Sequence, residues 1–218
     1  MEIIKSFAPQ RSRIKGEKLE QFKYKTLPVY EILAFDEVAW HKNIELEIGS
    51  GYGKTIAHLA QLKPEKLFIA CEVYTDALSS ICNKLNENKI SNVKIYTNDA
   101  RFLVSQIPHN ALENVYILFP DPWPKKRHHK RRIITVDFLE TLAQKIKFEG
   151  KLWITTDDDS YKEHICEVIY NQKSFKWLAN SPEDFTKEPS WWVKTKFQEK
   201  AEATGNSCVF FELQKCEE

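Results

Sequence analysis

From Ile44 onward, short apolar runs alternate with segments in which apolar residues recur at helical spacing. The runs predict β-strands at 44–48, 67–71, 93–97, 114–119 and 151–155. Three single-faced helical patterns lie between or after them, formed by Ala77, Leu78, Ile81, Cys82 and Leu85, by Val136, Leu139, Leu142, Ala143 and Ile146, and by Tyr161, Ile165, Val168 and Ile169. This alternation predicts an α/β fold, a doubly wound, mostly parallel and Rossmann-like sheet with helices on both faces.

The two ends of the chain depart from this alternation. Two further strand candidates, 175–179 and 207–213, have no long helix between them, so the second is expected to form an antiparallel edge strand. The stretch 180–206 is long for a loop without secondary structure, and such loops are usually functional or disordered. Residues 1–28 are polar and basic and predict a mobile arm, after which Pro28 is suited to open a helix through Glu37. We therefore expect a single domain over 29–218.

The composition places the chain among ordinary globular proteins. Of its 218 residues, 42% are hydrophobic and 29% are charged, which argues against wholesale disorder. The longest apolar runs have five residues, far short of the roughly 20 that cross a bilayer, and no secretory signal is visible. The five cysteines form no C-x-x-C pair, and Cys71 and Cys82 fall in apolar patterns. We expect buried, reduced thiols and a cytoplasmic location, without membrane contact.

Positive charge is concentrated in two segments. The net charge is only +1, but residues 1–28 carry +4 and residues 125–132, K-K-R-H-H-K-R-R, carry +6, which leaves −9 on the rest. Two basic segments on an otherwise acidic protein indicate a local site for a polyanion.

A glycine-rich segment, E-I-G-S-G-Y-G-K-T at 47–55, follows the first predicted strand. Glycines at a strand-to-helix turn let the backbone approach a ligand, and the helix N-terminus offers free N–H groups. A Walker A loop needs glycine where Ile48 stands, and a dinucleotide fingerprint needs a third glycine where Lys54 stands. The remaining pattern is an acid followed by three alternating glycines, Gly49, Gly51 and Gly53.

Acidic residues occur where several predicted strands end. Glu47, Glu72, Asp99 and Asp121 occupy or approach these carboxyl ends, where ligands of open parallel sheets bind. Glu72 is placed to accept hydrogen bonds from ribose hydroxyls and Asp99 from an adenine amino group. An acidic lining repels pyrophosphate, so a cofactor with ribose, adenine and a positive charge, such as S-adenosylmethionine, fits better.

The segment after the fourth strand, F-P-D-P-W-P at 119–124, combines stiffness with aromatic and charged groups. Three prolines hold Asp121 at the strand end, and Trp123 offers a face for a purine. The basic run that follows is either a solvated charge run or a phosphate-binding segment, and its position beside a cofactor cleft favours the second. The expected phosphate contacts are Lys126, Arg127, Lys130, Arg131 and Arg132.

Several short motifs together carry a family resemblance. They are E-I-G-x-G-x-G, C-E-V at 71–73, N-D-A at 98–100, F-P-D-P-W-P-K-K-R-H-H-K-R-R at 119–132, T-T-D at 155–157 and T-K-F at 195–197. This set resembles the bacterial tRNA (guanine-N7-)-methyltransferase family over about residues 42–214. The P-D-P-W loop with its basic tail is highly specific, whereas the glycine loop is shared by many methyltransferases. The resemblance implies a class I methyltransferase fold and methyl transfer from S-adenosylmethionine to N7 of a variable-loop guanosine in tRNA.

The resemblance also implies roles for individual residues. The cofactor would be held by Glu47, Gly49, Gly51, Gly53, Glu72, Asp99, Ala100 and Asp121, and Asp121 would also be catalytic. The target guanosine would contact Lys125, Asp157, Thr195, Lys196, Phe197 and Gln198. At one position the chain departs from the family, which usually carries Glu after T-K-F. Either Gln198 hydrogen-bonds in place of that carboxylate, or Glu199 replaces it through a local shift.

The chemistry of guanine N7 agrees with this set of residues. N7 has an unshared electron pair and no proton, so its attack on a sulfonium methyl group needs positioning rather than a base or a metal. Carboxylates at Asp121 and Asp157 can stabilise the positive charge that develops on the base. They can also accept hydrogen bonds from its N1–H and amino groups.

Alternatives from other classes remain open at this stage. One is a methyltransferase for another RNA base or acceptor, and another is a non-catalytic tRNA-binding module. Gln198 favours the module, whereas the four intact acids argue against it. A nicotinamide oxidoreductase is disfavoured by Lys54. We expect no metal, tRNA as the partner, no obligatory protein partner, and a monomer or homodimer.

Overall fold

A computed structural model of the protein describes residues 38–40 and 43–217. The predicted basic arm at 1–28 and the predicted helix from Pro28 to Glu37 lie outside the described residues. The domain boundary between them therefore stays a prediction.

A seven-stranded sheet forms the centre of the molecule. Its strands are β1 (Ile44–Ile48), β2 (Leu67–Cys71), β3 (Val93–Tyr96), β4 (Leu112–Leu118), β5 (Ile146–Thr156), β6 (Phe175–Trp177) and β7 (Val209–Lys215). They are arranged in the order β3-β2-β1-β4-β5-β7-β6, and the pairs among the first five strands of this order are parallel. The predicted doubly wound, mostly parallel sheet is confirmed.

The last strand runs antiparallel, as predicted, but it is not at the edge of the sheet. Strand β7 pairs antiparallel with β5 on one side and with β6 on the other. The three-residue strand β6 is the outermost strand. The predicted antiparallel edge is confirmed, but its outermost strand is β6 and not β7, because an apolar pattern that marks a strand does not fix the order in which neighbouring strands pair.

Helices connect the strands and cover both faces. They are α1 (Lys54–Leu62), α2 (Thr75–Glu87), α3 (Ala100–Gln106), α4 (Val136–Ala143), α5 (Asp159–Asn171), α6 (Pro182–Thr186) and α7 (Lys196–Ala203), with a 3-10 helix at Lys126–Arg131. Helix α4 ends at Ala143, and Ile146 begins β5 instead of extending the helical face. The stretch 180–206 is partly helical, since it contains α6 and α7.

The core has two layers separated by the sheet. On one face, side chains of α1 and α2 such as Ile56 and Ile81 pack on Phe68 of β2. On the other face, residues of α3, α4 and α5 pack on Leu46 of β1. Cys71 and Cys82 are buried free thiols, as predicted. In the described part of the chain, no helix has the length and apolar character needed to span a bilayer.

Strand β1 places a fully buried carboxylate, Glu45, beneath α1. Its oxygens accept hydrogen bonds from Lys63 Nζ at 2.9 and 3.0 Å, Lys66 Nζ at 2.9 Å, Asn114 Nδ2 at 3.0 Å and Tyr116 Oη at 2.7 Å. Burial alone would raise the pKa of Glu45, but the bonds from Lys66, Tyr116 and Lys63 outweigh it and lower that pKa. The ionised carboxylate thus ties β1 to β4 and to the loop after α1.

We expect Glu45→Gln to lower the free energy of unfolding by about 3–5 kcal/mol, because it leaves two ammonium groups without their buried counter-charge. Chemical denaturation at neutral pH measures this loss. The matched control is Glu212→Gln, whose partly exposed pair with Lys151 should contribute less than about 1 kcal/mol. Equal effects of the two substitutions would contradict a special role for Glu45.

Candidate cofactor and RNA site

A cleft of about 430 Å³ opens at the carboxyl ends of β1, β2 and β4. The described residues that line it include three acids, Glu72, Asp76 and Asp121, but no lysine or arginine. The other lining residues are mostly apolar, aromatic or small, among them Ile48, Cys71, Ala100, Ile117, Ile133 and Phe197. An acidic, largely apolar cleft suits a ligand that carries a positive charge and an apolar ring.

The glycine loop between β1 and α1 forms one wall of this cleft. Gly51 adopts a φ of +50° and donates its backbone N–H to Glu72 Oε2 at 2.7 Å. Gly53, at φ +75°, does not line the cleft, and a Cβ there would lie 2.7 Å from Cγ1 of Ile81. Gly49 and Gly51 therefore border the ligand space, whereas Gly53 allows α1 to pack closely on α2.

Glu72 links the end of β2 to the glycine loop. Besides Gly51, the backbone N–H groups of Val73 and Tyr74 donate to its Oε1 at 2.7 and 2.9 Å. Burial raises the pKa of Glu72, as does the nearby charge of Asp121, while these three bonds act in the opposite direction. The carboxylate is thus held by backbone groups and borders the cleft.

Glu47 lies behind the glycine loop and does not line the cleft. It is 2% exposed, and its Oε2 has no hydrogen-bond partner. Burial raises its pKa to about 8, with a further contribution from Glu72, against hydrogen bonding by Ser50 and the Ile56 amide. At neutral pH this side chain is predominantly protonated, so it can steady the loop but contributes little negative charge to a ligand.

Asp99 lies between β3 and α3 and does not itself line the cleft. Its Oδ1 accepts the N–H of Arg101 at 2.9 Å and so caps α3. Its Oδ2 is buried without a partner, and the flanking residues Asn98 and Ala100 line the cleft. An unpaired buried carboxylate oxygen is costly. Oδ2 of Asp99 is suited to a ligand that supplies a hydrogen-bond donor, such as the amino group of adenine.

Asp121 stands in a loop with unusual backbone conformations on both sides. Phe119 has a φ of +52° and Trp123 a φ of +46°, which cost on the order of 1–3 kcal/mol each for residues other than glycine. The Phe119 ring stacks on Phe197 with centroids 5.8 Å apart and planes at 19°. The loop is therefore held by packing, with Asp121 exposed at the mouth of the cleft.

The basic run after this loop forms the 3-10 helix, and its members do not share one environment. Lys125, Lys126, Arg127 and Lys130 are exposed, as a phosphate-binding role requires. The guanidinium of Arg131 lies 3.9 Å from the centre of the Trp123 ring, so it covers one face of the indole predicted to receive a purine.

Arg132 is buried, contrary to its predicted contact with phosphate. Only 2% of the residue is exposed, and its guanidinium donates to the Pro122 carbonyl at 2.8 Å and to Ser160 Oγ at 2.9 Å. A phosphate cannot reach a side chain that is turned into the protein and bonded on several sides. Arg132 therefore leaves the set of predicted phosphate contacts.

The residues predicted to contact the guanosine do not all line the cleft. Phe197 lines it and is 49% exposed. Lys196 places its ammonium 5.3 Å from the ring of Tyr52, which also lines the cleft, and Thr195 caps α7 by accepting the Gln198 N–H. Asp157 follows β5 and is half-buried. Of the six predicted contacts, Phe197 is the one that lines the cleft.

Comparison with known proteins identifies the family. A family model described as a putative methyltransferase matches residues 41–211. A tRNA (guanine-N(7)-)-methyltransferase from Zymomonas mobilis is 30% identical over 210 residues, which cover 96% of this chain and 90% of the relative. The chain belongs to the tRNA (guanine-N(7)-)-methyltransferase family. A second family member, from Nitrosomonas europaea, is 37% identical over 74% of this chain and 71% of its own.

Solved structures agree on the methyltransferase fold. An rRNA methylase from Streptococcus thermophilus superposes with a TM-score of 0.56 at 14% identity, over 94% of this chain and all of that one. A putative methyltransferase from Streptococcus mutans, in complex with SAH, gives a TM-score of 0.53 at 12% identity, over 93% and 99% of the two chains. At such low identity these structures support the fold alone.

Gln198, where this chain departs from the usual family residue, is buried and does not line the cleft. Its Oε1 accepts the indole N–H of Trp192 at 2.6 Å, and its Nε2 donates to Glu188 at 2.6 Å and Glu202 at 3.1 Å. The prediction that its side chain contacts the guanosine is therefore not supported. Glu199 is exposed and lies in the first turn of α7.

Sequence reasoning missed several cleft residues. Tyr52, Tyr74, Asp76 and Asn98 line the cleft but were not predicted. Asp76 had a weak signal, since it lies four residues after Glu72 and near the N-terminus of α2, where an acid is favourable. The tyrosines had none, because exposure at a cleft depends on the tertiary fold.

We expect the free energy of unfolding of Glu47→Gln, relative to that of wild type, to increase with pH. Between the ordinary carboxyl pKa of 4.5 and the folded value of about 8, the folded wild type binds a proton that the unfolded chain releases. Wild-type stability therefore falls as pH rises, by up to about 1.4 kcal/mol per pH unit, and glutamine removes this effect. Denaturation of both proteins at several pH values in this window tests it, and a constant difference would contradict the raised pKa.

We expect Gln198→Glu to destabilise the protein by about 2–3 kcal/mol, because it removes a donor from two carboxylates and adds a third negative charge. The fluorescence of Trp192 should also change, because its indole N–H would donate to a carboxylate instead of an amide oxygen. Adding Glu188→Gln should recover part of the loss, since the new amide donates where Gln198 did. If the double variant is as unstable as Gln198→Glu alone, the hydrogen bonds of Gln198 with Glu188 and Glu202 are not what stabilises α7.

Proposed function

We propose that the protein transfers a methyl group from S-adenosylmethionine to N7 of a guanosine in tRNA, in the variable loop. The observation that carries this proposal is the position of Asp121, between an acidic cleft whose described lining holds no lysine or arginine and a basic 3-10 helix. Membership of the tRNA (guanine-N(7)-)-methyltransferase family supports the same reaction.

The residues present fit this cofactor. The partnerless Oδ2 of Asp99 can accept from the adenine amino group, and Glu72 stands at the end of β2 where ribose hydroxyls are bound in related folds. Apolar side chains such as Ile117 and Ile133 offer surfaces to an adenine ring. When bound, S-adenosylmethionine supplies an electrophilic methyl group on a sulfonium centre.

The protein then has to position the base and exclude water, because N7 carries no proton that must be removed. Asp121, at the cleft mouth, is placed to accept from the guanine N1–H or amino group and to stabilise the positive charge that develops on the base. We assign Asp157 a second contact of the same kind, and Phe197 a stacking surface for the base.

Phosphates of the tRNA are the proposed ligands of the exposed cations at Lys125, Lys126, Arg127 and Lys130. Arg131 can join them if it leaves Trp123, which would expose the indole face. The number of subunits, the absence of a metal and the cellular location stay predictions from the sequence.

The proposal is tested by incubating the protein with unmodified tRNA and S-adenosylmethionine that carries a labelled methyl group. Aniline cleavage then locates 7-methylguanosine. Cleavage at one variable-loop guanosine supports the cofactor, the acceptor and the atom together. Label without cleavage would point to another base or atom, and binding of cofactor and tRNA without label would favour the non-catalytic module.

We expect Asp121→Asn to lower kcat by about 10²-fold or more, because the amide cannot stabilise positive charge on the base. Affinity for S-adenosylhomocysteine, measured by calorimetry, should weaken only modestly. The control is Asp137→Asn, at an exposed position in the first turn of α4, which should leave kcat unchanged. Unchanged turnover in Asp121→Asn would remove Asp121 from the mechanism.

A further inference from the structure

Arg132 is one of the largest side chains that the fold buries completely. It ends a basic run whose other charged members are wholly or partly exposed. A guanidinium taken out of water must be compensated by hydrogen bonds or counter-charges. Among the residues that the structure describes, no carboxylate forms an ion pair with it, and carbonyl, hydroxyl and aromatic groups surround it instead.

These contacts join two segments that are distant in sequence. Nε donates to the carbonyl of Pro122 at 2.8 Å, in the loop after β4. Nη2 donates to Ser160 Oγ at 2.9 Å and Nη1 to the Ser160 carbonyl at 3.4 Å, at the start of α5. The planar guanidinium also lies 4.9 Å from the centre of the Tyr161 ring. The planar guanidinium of Arg132 thus bridges the loop after β4 and the start of α5.

Each of these segments carries one of the acids assigned to the guanosine. Pro122 directly follows Asp121. Ser160 Oγ donates to Asp158 Oδ1 at 2.9 Å, and Asp158 both caps α5 and directly follows Asp157. The backbone of Arg132 is fixed as well, because its carbonyl accepts from Arg101 Nη2 at 2.9 Å. The geometry therefore ties the positions of both acids to one side chain.

We propose that Arg132 is a positioning residue that sets the spacing of Asp121 and Asp157 across the site. This inference rests on the proposed function and adds a role that contact with RNA does not provide. Arg132 is buried and does not line the cleft. It restrains the strained loop at Phe119–Trp123 against the start of α5, so that both carboxylates meet the same base.

The test compares Arg132→Lys with Lys130→Met. Lysine keeps the charge but cannot make the three-way fork, so we expect kcat to fall by about 10²-fold at saturating tRNA. The tRNA affinity of Arg132→Lys and its salt dependence should stay near wild type. Lys130→Met should act on binding instead, with a lower tRNA affinity and a salt slope smaller by about 0.7–0.9.

Hydrogen exchange provides a readout that does not need activity. In Arg132→Lys, the amides of Phe119, Asp121 and Trp123 and those at 157–161 should exchange about tenfold faster, while Lys130→Met leaves them unchanged. Ser160→Ala, at an exposed position, should reproduce the effect in milder form and guards against a variant that fails to fold. These exchange rates decide the positioning role even if wild type fails to methylate tRNA, which would overturn only the proposed function.

Two patterns of results would overturn the inference. If Arg132→Lys and Arg132→Met weaken tRNA binding and flatten the salt dependence as Lys130→Met does, while amide exchange and kcat stay at wild-type values, Arg132 acts on phosphate. If the Arg132 variants only lower the melting temperature, with kcat and local exchange unchanged, its role is general stability and not positioning.

Discussion

All five residues of strand β1 are buried, and two of them are glutamates. The protonation state of each glutamate constrains the site around it. Glu45 and Glu47 lie two residues apart on one face of the strand, beneath α1. Glu45 meets several donors, so its pKa is lowered and it stays ionised. Glu47 keeps an oxygen without a partner, and its pKa rises to about 8. Local hydrogen bonding thus gives two identical side chains opposite protonation states.

This difference sets the electrostatics of the cleft. Glu47 and Glu72 are both buried, and each interacts with another carboxylate, Glu47 with Glu72 and Glu72 with Asp121. Protonation of Glu47 removes one charge, and backbone N–H groups at Gly51, Val73 and Tyr74 support the charge on Glu72. The glycine loop therefore has a second role besides bordering the cleft. Its Gly51 N–H donates one of the hydrogen bonds that stabilise the ionised carboxylate of Glu72.

Much of the fold could be predicted from the sequence, because buried parallel strands read as continuous apolar runs. Strands β1 and β2 match their predicted limits, and two of the four predicted acids, Glu72 and Asp121, line the cleft. Residues whose role depends on tertiary contacts could not be assigned. Lys130 and Arg132 belong to one basic run, yet only the second is turned inward, by bonds to Pro122 and Ser160. Gln198 similarly meets Glu188 and Trp192 only after the 188–203 segment has folded.

The charge of the surrounding side chains changes sign at Asp121, from acids in the cleft to cations on the 3-10 helix. On the cleft side of this residue the described lining holds acids and no cations, which favours a positively charged ligand and repels phosphate. On the other side, the 3-10 helix presents exposed lysines and arginines that attract phosphate. A polyanion is thus drawn to the rim while its backbone is kept out of the cleft, and only an uncharged base can pass. A base that becomes cationic after methylation would meet the same acids. The charges that favour the reaction would therefore also favour binding of the product. Release of the product would then depend on how strongly the 3-10 helix binds the tRNA phosphates.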